Sequence, residues 1–185
     1  MKRSSRYFVQ LIALILLGCN SQAEGLNPQA QSKVDQILKE VQDWVKTPAL
    51  IEAVETQDRQ LPPPFVAMTQ EKWETLPEAD PFVHGFTTNV MGEFLKQKRT
   101  KAISEAFLSD AGGYKIAFLS KTTTWCHKGK PKHDVPMSGH PWQGKVEVDR
   151  STGGQQLQIA VPVFADSKPI GSLVIGIAVS ALVAE

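Results

Sequence analysis

Cysteine is almost missing from this chain: of 185 residues only Cys19 and Cys126 carry a thiol. Two thiols cannot build a disulfide framework, so the fold must rest on a hydrophobic core. Long apolar runs are also lacking. The one near the N-terminus, from Leu11 to Leu17, is too short to cross a bilayer as a helix. An excess of charge of one sign is absent: 20 Lys and Arg face 19 Asp and Glu, which gives no electrostatic footprint for nucleic acid. No Gly-x-Ser-x-Gly elbow, phosphate loop, dinucleotide fingerprint or Cys-x-x-Cys-His haem attachment motif occurs. A binding protein, not an enzyme, is expected, and no cofactor. What is present, 42% hydrophobic and 21% charged residues, suits one globular domain with a core of its own.

The first residues read as an export signal. Lys2, Arg3 and Arg6 precede the apolar run, which ends in Leu16-Leu17-Gly18-Cys19. That tetrad resembles a bacterial lipobox, in which the cysteine is lipidated and becomes the new N-terminus. Buried acyl chains then hold the protein at the membrane, each methylene contributing about 0.8 kcal/mol. Cleavage after Ser21-Gln22-Ala23 is the alternative and would release the protein into the periplasm. Asn20, not Asp, follows the cysteine, which leans toward the outer membrane. Loss of residues 1–18 leaves 17 basic against 19 acidic residues, a net charge near −2. With Cys19 lipidated, Cys126 has no partner for a disulfide. The expected organisation is a signal peptide over 1–18, a tether over 19–27 and one domain over 28–185.

Along that domain, Asn27-Pro28 offers a helix cap and a first-turn proline. Val34, Ile37, Leu38, Val41, Trp44 and Val45 then recur at helical spacing and predict a helix over 28–46. Thr47-Pro48 repeats the signal for a second helix to about Arg59. Leu61-Pro62-Pro63-Pro64-Phe65 reads as an extended connector, and short helices fit residues 69–76 and 87–98. After residue 102 the period changes. Apolar runs at 103–110 and 114–119 flank Ala111-Gly112-Gly113, a hairpin signal. A loop without period spans 120–145, followed by strand candidates at 146–150, 157–164 and 170–180. The last is nearly continuous in apolar residues, as a central strand buried on both faces would be. Helices followed by antiparallel strands predict an α+β fold with the N-terminal helix packed across the sheet.

Several segments in this order resemble the extracytoplasmic Cache domains of bacterial sensors. Ala106-Phe107-Leu108-Ser109-Asp110-Ala111-Gly112-Gly113 is similar to the family's first hairpin, and Trp142-Gln143-Gly144 to the aromatic-Gln-Gly that closes its long loop. Ile159-Ala160-Val161-Pro162-Val163-Phe164 and Ile170-Gly171-Ser172-Leu173-Val174-Ile175-Gly176 match its last hairpin. The resemblance covers about residues 28–180, with its specific matches from 103 onward. It implies a PAS-like antiparallel sheet of five to six strands and a domain that senses by reversibly binding a small molecule. His140-Pro141 stand where the family often has an acidic residue, so no amine-binding carboxylate is expected there. With no kinase, cyclase or methyl-accepting region in the sequence, the domain is expected to report through a membrane-bound signalling protein.

In such a fold the pocket lies between the sheet and the long loop. Lys121, Trp125, His140 and Trp142 are the loop residues able to hold a small polar ligand: the cations pair with a carboxylate and the Trp faces exclude water. Tyr114, Phe118 and Gln158 are candidate walls from the strands. Core packing competes as the role of Trp125, Trp142 and Phe118. The expected ligand is a carboxylate or other anion. A second reading gathers Cys126, His127, His133 and His140 into a site for zinc or copper, although their spacing matches no zinc-finger pattern. A third, a module that only docks a partner, stays open.

Overall fold

The protein is described here by a computed structural model over residues 26–148 and 153–183. The expected export signal and the expected lipid attachment at Cys19 lie outside these residues, as does the end of the strand expected at 146–150.

Helix α1 (Pro28–Trp44) starts where the sequence places it, because Asn27 Oδ1 accepts the Ala30 amide at 2.8 Å and Pro28 sits in the first turn. Helix α2 (Pro48–Arg59) follows directly. Pro63 and Pro64 do not extend the chain as expected. They occupy the first turn of a short helix, α3 (Pro63–Ala67), where a missing amide hydrogen costs nothing. Helix α4 (Gln70–Thr75) is capped by Thr69. The helix expected over 87–98 is α6 (Val90–Lys98), and one that was not expected, α5 (Pro81–Thr88), precedes it. Asn89 divides them: its Oδ1 accepts the Gly92 amide at 2.7 Å, and its Nδ2 donates to the Ile116 carbonyl at 2.8 Å.

The strands are β1 (Ile103–Asp110), β2 (Lys115–Phe118), β3 (Trp142–Val148), β4 (Gln155–Ala165) and β5 (Lys168–Ala178). They form one antiparallel sheet in the order β2-β1-β5-β4-β3, with the apolar β5 in the middle as its composition demands. Val179 and Ser180, expected to end that strand, begin a short helix, α8 (Val179–Val183). One face of the sheet presents Leu108, Leu157, Ile159, Val161, Leu173, Ile175 and Ile177 to Ala30, Val34, Val41 and Val45 of the N-terminal segment. Fully burying each aliphatic side chain contributes roughly 1.5–3 kcal/mol, so this layer anchors α1 across the sheet. The expected α+β architecture is the observed one.

Between β2 and β3, residues 119–141 fold back as a flap over the other face. The sequence reads as irregular there, yet it contains a helix, α7 (Pro131–Met137). Pro131 opens it, Pro136 lies inside it, and its two buried residues are His133 and Pro136. A helix that buries an imidazole and a proline leaves no apolar period to detect.

Candidate functional site

The face of the sheet turned away from α1 carries three rungs of side chains, fixed by strand register. The first runs Lys115, Ser109, Ser172 and Pro162 across β2, β1, β5 and β4. The second runs Phe118, Phe107, Val174, Ala160 and Trp142. The third holds Glu105 and Gln158 on either side of Gly176. The middle rung is apolar and the outer two are polar, so the flap meets a greasy strip with charges along both borders.

The flap reaches this surface because the β1–β2 turn holds it there. Asp110 closes the turn, its Oδ1 accepting the Tyr114 amide at 2.9 Å while its Oδ2 accepts Gln57 Nε2 at 2.7 Å. Gly113 adopts φ +83°, and a Cβ at that position would run into the backbone of Lys128. The His127 amide donates to the Gly113 carbonyl at 2.8 Å, which sets the His127 ring over the sheet. That ring stacks on Phe107 with centroids 4.5 Å apart and planes 17° apart.

Beneath the ring lies a buried cationic cluster. Lys115 is 0% exposed; its Nζ contacts His127 Nδ1 and sits 4.9 Å above the Phe107 ring. Among the described residues no carboxylate lies within ion-pairing distance of it. Burial pushes the Lys115 amine down to about 7, although the neighbouring Cys126, Glu105 and Asp110 act in the opposite sense. Burial and then the Lys115 charge push His127 well below the ordinary imidazole range. His133, 1% exposed, places its Nδ1 2.8 Å from Ser172 Oγ and hydrogen-bonds the backbone at Ala111. Its pKa is lowered by burial, with the Ala111 bond and the Asp134 and Asp110 charges opposing. Ser109 Oγ, between Lys115 and Ser172 on the same rung, is buried with no hydrogen-bond partner among the described residues. At the opposite border Lys132 Nζ donates to Gln158 Oε1 at 2.9 Å, and Gln158 Nε2 donates to Glu105 Oε2 at 2.6 Å. Lys132 also lies 5.6 Å above the Phe107 ring, and burial lowers its pKa while Glu105 opposes.

This arrangement keeps some of the residues expected from sequence and disperses others. Gln158 lies on this face, bonded to both Lys132 and Glu105. Trp142 stands half-buried on the middle rung at the β3 edge. Trp125, 3% exposed, joins an aromatic layer with Phe65, Trp73, Phe82 and Phe86 and with Phe118 of the middle rung, while Tyr114 flanks Trp125 at 5.9 Å. Lys121 is outside the site: its Nζ donates to the Leu76 carbonyl at 2.6 Å and it lines a separate surface cleft of about 360 Å³ with Glu78, His84 and Phe118. His140 is exposed at the end of the flap. The proposed metal ligands do not converge. His127 faces Lys115, His133 faces Ser172, Cys126 Sγ donates to the Gly112 carbonyl at 3.3 Å, and among the described residues no three His, Cys, Asp or Glu side chains are placed to hold a metal ion. Lys115, Ser109, Ser172 and Lys132 were missed. The signal for three of them was available, since each interrupts or opens an otherwise apolar strand, where a polar side chain must find a buried role.

No family model matches the chain, and no curated protein matches it. Its fold does have counterparts among solved structures. The sensor domain of Escherichia coli DcuS superposes with a TM-score of 0.51 at 11% identity, covering 84% of this chain and 96% of that one. The sensor domain of the Vibrio cholerae histidine kinase DctB gives a TM-score of 0.42 at 15% identity over 83% of this chain and 55% of its own. The ligand-binding domain of the Campylobacter jejuni chemoreceptor Tlp3, solved with 4-methylisoleucine, gives 0.46 at 18% identity over 83% and 56%. The chain thus spans little more than half of the DctB and Tlp3 chains and nearly all of the DcuS domain. Its fold is the PAS-like fold of Cache-type sensor domains.

Proposed function

We propose that this protein is a periplasmic signal-sensing domain that reversibly binds a small carboxylate or other anion beneath the flap. The observation that carries this reading is Lys115, a fully buried amine with no carboxylate partner among the described residues, set among two imidazoles and a serine hydroxyl likewise without a partner there. Burying a cation without a counter-ion is costly, and an anion that enters supplies the missing charge. Lys115, Lys132, Ser109 and Ser172 are the groups that would hold it, and the Phe107 ring forms the floor. The flap is closed in this structure, since Trp125, His127 and His133 are each 3% exposed or less. Entry therefore requires the flap to lift, and binding selects between lifted and closed states. Anchoring through lipidated Cys19, a placement on the periplasmic face with the outer membrane preferred, and reporting through a membrane-bound signalling partner belong to the same proposal.

The test is thermal unfolding against a panel of organic acids and inorganic anions, with amino acids and divalent metals alongside. An anion present at a hundred times its Kd stabilises by about 2.7 kcal/mol and raises the melting temperature. The gain is expected to vanish in Lys115→Met. A panel in which no anion shifts the transition of the native protein defeats the reading and leaves a docking module.

A further inference from the structure

The buried cluster places a primary amine, an imidazole and hydroxyl groups together over an aromatic floor, and that combination can do more than attract charge. We propose that Lys115 captures carbonyl ligands covalently, as a reversible imine, so that the preferred ligand is a small 2-oxo acid or aldehyde acid. This deepens the anion-binding reading and rests on it. The geometry is the ground for it. Lys115 Nζ is sealed from solvent, no carboxylate among the described residues holds it as an ammonium, and its contact is the ring nitrogen of His127. Two further features fit a carbonyl acid. Ser109, beside Lys115 on the same rung, has a buried hydroxyl with no partner among the described residues. Lys132 stands over the same Phe107 ring at the far border, positioned for the carboxylate end of a short ligand.

The step balances without any oxidant or metal. The Lys115 nitrogen lone pair forms a bond to the carbonyl carbon, and the carbonyl oxygen takes up a proton to give a carbinolamine. His127 Nδ1 relays both nitrogen protons to that oxygen, the first making the carbinolamine hydroxyl and the second making it a leaving water. Water leaves, the C=N bond forms, and hydrolysis reverses the sequence when the flap opens. The depressed basicity of Lys115 supports this, because only the neutral amine attacks.

The experiment incubates the full chain with pyruvate and sodium cyanoborohydride, which reduces an imine in place, and maps the modified lysine by peptide mass spectrometry. The expected result is a single reduced pyruvate adduct on Lys115. It is absent in Lys115→Met, slowed in His127→Gln, and suppressed by excess succinate competing for the pocket. Adducts spread over the exposed lysines with Lys115 unmodified overturn the proposal. If succinate raises the melting temperature while pyruvate and reductant leave Lys115 untouched, covalent capture fails and anion binding stands. If neither ligand acts on the native protein, both readings fall.

Discussion

His133 Nδ1 lies 2.8 Å from Ser172 Oγ, which ties the helix inside the flap directly to the central strand of the sheet. Both groups are buried, at 1% and 0% exposure, so the bond acts as a latch out of reach of water. Ser172→Ala removes one partner and strands the imidazole. The expected loss is about 1–3 kcal/mol in denaturant unfolding, together with faster amide exchange across residues 125–137. Unchanged exchange in the flap would show that the latch does not hold it closed.

The pH dependence of stability follows from Lys115. Its folded pKa is about 7 against an ordinary 10.5, so between those values the unfolded chain binds more protons than the native one. Stability therefore rises as pH increases from about 7 toward 10.5, by up to about 1.4 kcal/mol per pH unit, and below 7 the full penalty of burying the protonated amine is present. His127 and His133 extend the trend on the acid side. Their lowered values mean that stability present above pH 6.5 is lost as pH falls below it. Urea denaturation across pH 5 to 10 should show a continuous rise whose alkaline limb disappears in Lys115→Met. A wild-type curve flat from pH 7.5 to 10 contradicts the buried state assigned to this amine.

Much of the scaffold was legible because apolar period and local capping act at short range. Asn27-Pro28 opens α1 where expected, and the continuous apolar stretch after Lys168 becomes the central strand. The site was less legible because it depends on register. Nothing local says that Ser109 pairs with both Lys115 and Ser172, or that these three share a face. Gln158 stands alone among apolar neighbours in the sequence, and the structure sets it between Lys132 and Glu105 on this face. Lys121 and His140 lie away from this face, and cations in a loop carry no mark of which side the loop covers. The α7 segment was hidden by Pro136 and by a buried imidazole taking the place of an aliphatic residue. Trp125 takes the packing role that competed with binding for it: its ring fills the aromatic layer.

Trp73 was a helix residue without assigned purpose, and it proves to be the pin between α4 and the start of the flap. Its Nε1 donates to the Thr122 carbonyl at 2.7 Å in a fully buried setting, and its ring packs on Trp125 at 5.0 Å. Trp73→Phe keeps an aromatic ring but leaves the Thr122 carbonyl unpaired. A destabilisation of about 1–3 kcal/mol is expected in equilibrium unfolding, with anion affinity altered little because the cationic cluster is not touched. A loss of binding at full stability would instead place Trp73 in the ligand pocket.

Lys132, Gln158 and Glu105 give the last prediction, because their chain of contacts joins the flap to two strands and sets a carboxylate against an incoming anion. Gln158 bridges the other two, donating to Glu105 at 2.6 Å and accepting from Lys132 at 2.9 Å. Glu105 opposes the loss of charge that burial imposes on Lys132, so it neutralises part of the field an anionic ligand would feel. Glu105→Gln frees that field and should tighten succinate binding by about fivefold, on the order of 1 kcal/mol. Lys132→Gln should weaken it by a similar factor, and both effects should shrink as salt is raised. Titration calorimetry on the two variants separates electrostatics from packing, since a merely structural chain would lose affinity in both. Opposite signs require that Lys132 faces the ligand.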